Sequence, residues 1–294
     1  MTPMRSMATT ALVGVALLLA GCGQEHPIPV PRQANAPCAD LAGAGFPVLQ
    51  PELKAPFFVC HKGVMALEFN PTTKTALWSV EHLTAAQVNG QHPIIPDFRV
   101  DPKLPNSIRN QPSDFTLKGY LPGQLTPAGD FRSNDVKMSW TFYLSNAVPM
   151  PEANRNGIWR RLEENVQAWA KANGELYVVS GPIFYAGQPA AWIGGPPPPS
   201  GPLQPRYATP RPQDAHKGKM GVPTHIFKAI YDPIHHTAVA FILPNTEVIP
   251  AAQLPYYAVP VSKVEALTYL TLWPNLPQHD QIMNTVDPRH WILH

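Results

Sequence analysis

Histidine, cysteine and carboxylate side chains are the groups of this chain that could do acid–base, metal or nucleophilic chemistry near neutral pH. Eleven histidines are present. His235-His236 follows Asp232-Pro233 in a turn-like run, where two adjacent imidazoles are expected to be solvated rather than ligands. His61 follows Cys60 at a predicted strand end, and His82 lies inside a strand-like segment, where a hydrogen-bonded core role is expected. None of these four histidines has an H-x-x-x-H partner that would set both on one helix face, and no Gly-x-Ser-x-Gly turn or phosphate-cradling glycine loop occurs. Asn154, Arg155 and Asn156 precede a helical stretch carrying Glu163, which alone reads as an exposed carboxylate paired with a neighbouring arginine. Taken singly, these residues specify no reaction.

The three cysteines carry more information. Arg5 and the apolar run Ala11 to Ala20 lead into Leu19-Ala20-Gly21-Cys22. Ten apolar residues are too few to cross a bilayer as a helix, which needs about 20. The pattern has the form of a lipoprotein signal, with residues 1–21 removed and Cys22 carrying the lipid. The alternative is an ordinary signal peptide that happens to carry a cysteine. Gly23 rather than Asp after Cys22 predicts sorting to the outer membrane, on its periplasmic face. Cys38 and Cys60 remain, and in an oxidising compartment an even pair is most simply a disulfide. Such a bridge would stabilise the fold by roughly 3 kcal/mol on the chain-entropy view; two free buried thiols are the other reading.

Charge argues mildly against a strong nucleic-acid binder. Without residues 1–21 the chain keeps 21 basic against 20 acidic side chains, near neutrality, whereas such proteins gain affinity by neutralising phosphates.

The elements that would position these groups are readable from periodicity. Residues 22–36 are polar and proline-rich and predict a flexible tether, so the folded domain is expected over 37–294. Phe57–Cys60, Val64–Asn70 and Ala76–Val80 predict strands. From Asn156, the residues Trp159, Leu162, Val166, Trp169 and Ala170 recur at helical steps, with Asn173-Gly174 as the stop. Glu175–Ser180, Ile226–Tyr231 and Thr237–Leu243 predict further strands, and Ser262–Leu272 a late helix facing inward through Val264, Leu267 and Leu270. Residues 188–219, with nine prolines from Pro189 to Pro212, predict an extended surface insertion. The order implies an α+β fold with a mixed, mainly antiparallel sheet and packed helices.

Nine short segments, in order from Cys38 to Trp273, resemble the family of DNA/RNA non-specific endonucleases with the ββα-metal core. They include Ala76-Leu77-Trp78-Ser79-Val80-Glu81-His82-Leu83-Thr84, Phe98 to Pro105, and Gly119-Tyr120 with Leu125-Thr126-Pro127-Ala128-Gly129-Asp130. Thr141 to Asn146 with Pro149, Gly157-Ile158-Trp159 with Leu162-Glu163, Val178 to Pro182, Val222 to Thr224 with Lys228, and Val264 to Thr268 complete the set. The resemblance implies hydrolysis of phosphodiesters in DNA or RNA. A histidine of a DRGH tetrad acts as general base, a divalent metal, usually Mg²⁺, is held by a helix asparagine, a helix glutamate orients metal-bound water, and arginines stabilise the phosphorane.

This sequence departs from that pattern where the chemistry lies. Leu121-Pro122-Gly123-Gln124 stands in place of the tetrad, so Gln124 takes the histidine's place and Pro122 the arginine's. Counting back four residues from Trp159, the asparagine falls on Arg155; a slip of one residue puts Asn154 there instead. Glu163 keeps the helix carboxylate, and Met150 replaces a glutamine after Pro149. The expectation is a nuclease fold whose hydrolysis is weak or lost. The rivals are a working Mg²⁺-dependent endonuclease using Gln124, Asn154 and Glu163, and an envelope interaction module whose contact surface is the proline-rich segment.

Overall fold

The computed structural model describes residues 38–49, 57–115, 119–184, 191–192, 220–245 and 248–293. The lipoprotein signal, the tether and most of the proline-rich insertion lie outside them.

The described chain begins with a single 3₁₀ turn, Ala39–Leu41, and a short strand β1 (Val48–Leu49). Strands β2 (Phe57–His61), β3 (Met65–Asn70) and β4 (Thr75–Thr84) follow as a meander. Helices α1 (Ala85–Val88) and α2 (Asp135–Trp140) flank β5 (Tyr120–Gln124), which pairs with β6 (Ala147–Pro151). The chain then runs through α3 (Glu152–Asn154), a π turn (Arg155–Trp159) and α4 (Arg160–Asn173). Next come β7 (Glu175–Ile183), β8 (Ala191–Trp192), β9 (Gly221–Val222), β10 (His225–Asp232) and β11 (Thr237–Pro244). The last elements are β12 (Ala258–Val259), α5 (Val261–Thr268), β13 (Leu270–Thr271) and α6 (His279–Asn284).

Seven strands form one sheet in the order β12-β11-β10-β7-β4-β3-β2, and every pairing in it is antiparallel. Its central strands are buried on both faces, which is why they read as near-continuous apolar runs. Successive side chains go to opposite faces. On β7 and β10, Val178, Ile226 and Ile230 join the core under α4, while Val179, Phe227 and Ala229 join a second core. That second core is closed by Leu41, Phe46, Val261, Val264 and Ile282. The architecture is α+β as expected.

Cys38 and Cys60 are bonded, with Cα atoms 5.9 Å apart, tying the first 3₁₀ turn to β2. The late helix differs from expectation. It ends at Thr268, because Tyr269 adopts left-handed backbone (φ 56°) and Leu270 turns into β13, paired with β1. Strand pairing thus overrides the helical period over the last residues of the predicted span.

Candidate active site

The β5–β6 hairpin and α4 make a ββα unit packed on the sheet. Gly123 gives room where β5 pairs with β6: a Cβ there would come within 2.5 Å of the Met150 methyl and 3.0 Å of its Cβ, so that side chain would have to shift. Pro122 lies opposite Pro149 in this ladder, so neither residue can donate to it.

Gln124 ends β5. Its Nε2 donates to the Thr141 carbonyl and contacts the Thr141 hydroxyl, both at 2.9 Å, and its Oε1 accepts from Ala128 N–H at 3.3 Å. The carboxamide thereby braces the turn that follows β5. Trp159 Nε1–H donates to the Gln124 carbonyl at 3.1 Å and docks the head of α4 onto the hairpin.

Between Asn154 and Arg160 the chain winds as a π turn, which holds one residue more than an α turn. Asn154, at its start, is buried, and its Oδ1 accepts from Ile249 N–H at 2.9 Å while Nδ2 reaches the Pro244 carbonyl at 3.4 Å. Arg155 is half-buried, with Nη1 donating to Asn156 Oδ1. The surface-glutamate role belongs to Glu164, which pairs with Arg160 and Arg161; Glu163 faces inward.

Glu163 meets a group of charges that sequence reasoning did not assemble. On the α4-facing side of the sheet lie Glu81 of β4 and Lys228 of β10, both about 1% exposed. Lys228 Nζ donates to the Leu125 carbonyl at 2.9 Å and to Ser180 Oγ at 2.7 Å, and lies 4.9 Å from the Trp159 ring centroid. Asp130 is also buried and accepts from Gln167 Nε2 at 2.8 Å. Burial pushes Glu163 up to about 8, against the pull of Lys228 and Arg155. Asp130 rises to about 6 through burial, offset by Lys228. Glu81 is held well above its ordinary value by burial and by the nearby Asp130 charge, and the two carboxyls share a side-chain hydrogen bond. Burial thus favours the protonated forms of these carboxyls, and the Lys228 charge opposes it at each of them. The available signal was a charged residue at an inward position of an otherwise apolar strand, as Lys228 is in Ile226–Tyr231 and Glu81 in Trp78–Leu83.

The divalent cation that such a ββα unit would hold can be tested against these side chains. Asn154 spends its carboxamide oxygen on a backbone amide, and Lys228 and Arg155 both pull on the Glu163 carboxyl. A hard cation needs several anionic or free oxygen donors; of the two expected ligands Glu163 alone could offer one, beside two cationic side chains, so this set fits it poorly.

The other singled-out histidines have structural partners. His82 is only part-buried, bonds Glu175 at 2.6 Å and stacks on Tyr177. His61 is buried, ends β2 and bonds Asp101 at 2.9 Å. His235 is not merely solvated: its Nδ1 lies 2.8 Å from Asp232 Oδ2. A shallow surface cleft of about 480 Å³, lined by Ala86, Asn89, Gly90, His92 and Arg132 among others, contains none of the predicted site residues.

A seven-stranded antiparallel sheet carrying a ββα unit defines the class of ββα-metal nuclease folds. The family model for DNA/RNA non-specific endonuclease matches residues 58–279, and the chain belongs to that family. It is similar to the mitochondrial nuclease EXOG of Danio rerio, 31% identical over 75% of this chain and 62% of the relative. Nuclease C1 of Cunninghamella echinulata is 29% identical over 71% of this chain and 80% of the relative, and endonuclease G of Bos taurus is 28% identical over 81% and 74%. The chain thus spans about six tenths of the length of the EXOG relative. A chain of the crystal structure of the EndoG/EndoGI complex shares the fold, with TM-score 0.65 and 24% identity, covering 82% of this chain and 92% of that one.

Proposed function

We propose that this chain is an envelope lipoprotein that keeps the fold of the non-specific endonucleases while its phosphodiester hydrolysis is weak or lost. The observation that carries the reading is Gln124. It stands where the family has its histidine, it accepts no proton near neutral pH, and its carboxamide is committed to Thr141 and Ala128. Loss of a general base costs about 10²–10⁴-fold. Pro122 removes the arginine that would meet the phosphate, and Arg155, close enough to pull on Glu163, sets a positive charge where Mg²⁺ would be held. What is retained is a nucleic-acid-type binding fold, with DNA or RNA as its implied partner and the lipid on Cys22 holding it at the outer membrane.

Plasmid nicking by the purified protein with Mg²⁺ or Mn²⁺ tests this. Little or no cleavage is expected, and Gln124→His alone should not restore it. The combination of Leu121→Asp, Pro122→Arg, Gln124→His and Arg155→Asn should recover metal-dependent cutting. EDTA-sensitive cleavage by the unmodified protein would overturn the reading, as would a gain above about 10²-fold from Gln124→His alone. The working-endonuclease reading would then stand, supported by the Trp159–Gln124 bond that keeps hairpin and helix docked. For the anchor, Cys22→Ser should abolish acylation and release the protein from the membrane fraction; continued acylation would exclude the lipoprotein assignment.

A further inference from the structure

At the far end of α4 from Glu163, three elements bring nitrogen and oxygen donors to one point. Asp232 ends β10 and is fully buried. Its Oδ1 is fixed by the backbone N–H groups of Ile234 and His235 at 2.8 and 3.0 Å, which leaves Oδ2 as the aimed atom. Two imidazole nitrogens face Oδ2: His235 Nδ1 at 2.8 Å, from the β10–β11 turn, and His290 Nε2 at 3.0 Å, from the C-terminal segment. All three atoms lie within 4.8 Å of one another. The last residue of α4, Asn173, places its carboxamide 3.2 Å from the same His290 Nε2.

His290 Nε2 thus faces both the Asp232 carboxylate and the Asn173 carboxamide. Turning the Asn173 amide about its last torsion, an orientation assigned by hydrogen bonding rather than seen, brings Oδ1 to that place. Two imidazole nitrogens, a carboxylate oxygen and a carboxamide oxygen then surround one centre. Ligand atoms about 2.0–2.1 Å from a common ion lie about 2.9–3.4 Å from each other; the two His290 contacts, 3.0 and 3.2 Å, fall in that range, the His235–Asp232 contact of 2.8 Å falls just below it, and the three Asp232, His235 and His290 atoms lie within 4.8 Å of one another.

We propose that Asp232, His235 and His290, with Asn173 beside them, bind one zinc-type divalent transition-metal ion that fastens the C-terminal segment to the β10–β11 turn and the end of α4. Imidazole donors select such an ion over Mg²⁺ or Ca²⁺, which take oxygen. The His235 side chain is half exposed, so the ion has a path in and room for a water. The segment it secures is otherwise held by Trp291 against Trp169, with ring centroids 5.1 Å apart, and by Trp169 Nε1–H donating to the Ile292 carbonyl at 2.8 Å.

The test is calorimetric titration of the EDTA-stripped full-length protein with Zn²⁺ alone, with Co²⁺ absorption as a spectroscopic check. One ion per chain is expected, with micromolar or tighter affinity and a Zn²⁺-dependent rise in the thermal midpoint. His235→Ala and His290→Gln should each weaken binding by at least the tenfold that even an indirect partner of a ligand contributes. Glu163→Gln should leave zinc affinity unchanged, which separates this site from the ββα unit. His235 lies at the surface, so its variant remains informative should His290→Gln fail to fold. Affinity no better than millimolar, or equal binding by wild type and His235→Ala, overturns the proposal.

Discussion

Glu163 shows how one side chain couples the site to stability. Its folded carboxyl titrates near 8, against 4.5 for the free side chain, so the folded protein holds a proton that the unfolded chain gives up. The stability tied to this proton is fully present below the unfolded value and is lost as pH rises from about 4.5 through 8. Asp130, raised to about 6, acts in the same direction over a narrower window. Glu163→Gln keeps the shape and removes the titration. Its unfolding free energy should match that of wild type near pH 4.5 and exceed it at pH 8.5, by on the order of 2 kcal/mol after relaxation of a part-accessible site. Urea midpoints across that range measure it; a variant that is less stable at pH 8.5 would show that Glu163 is ionised and paired.

The element that most alters the expected site is the π turn of Arg155–Trp159. Its ends are pinned, Asn154 by Ile249 N–H and Trp159 by the Gln124 carbonyl, so a surplus residue between them must bulge. Deleting Arg155 puts Asn154 four residues before the tryptophan and removes the guanidinium that acts on Glu163. The unfolding free energy is expected to stay within about 1 kcal/mol of wild type, as read by denaturant titration. Loss of cooperative unfolding would mean that the bulge is itself needed for packing. The sequence exposed the extra residue as an ambiguity of one position, because spacing counts residues but not their winding. The strands of the sheet and the helix stop at Gly174, at φ 95°, were legible from period and composition. The β1–β13 pairing that shortens α5 was not, since those partners lie more than 200 positions apart in sequence. The carboxylate–lysine cluster escaped notice for the same reason: its members come from β4, β10, α4 and the turn after β5.

For the molecule as a whole, the sheet is a partition between two cores, and the disulfide belongs to the one away from α4. Cys38 and Cys60 close a span of 22 positions. Cutting it with Cys38→Ser and Cys60→Ser together should cost roughly 3 kcal/mol, seen as a lower guanidinium midpoint that reducing agent reproduces in wild type. No change would mean that burial of Leu41 and the stacking of Phe46 on Trp78 already hold the N-terminal turn.

Lys228 lies in the wall between those cores, with its amine bonded to Leu125 and Ser180 and covered by the Trp159 ring. An amine so placed cannot meet an acylating reagent from solution while the sheet is intact. It becomes a nucleophile only in molecules whose central strands have parted. Its modification by an amine-reactive label therefore keeps time with the deepest opening of the fold, while the surface lysines record only exposure to the reagent.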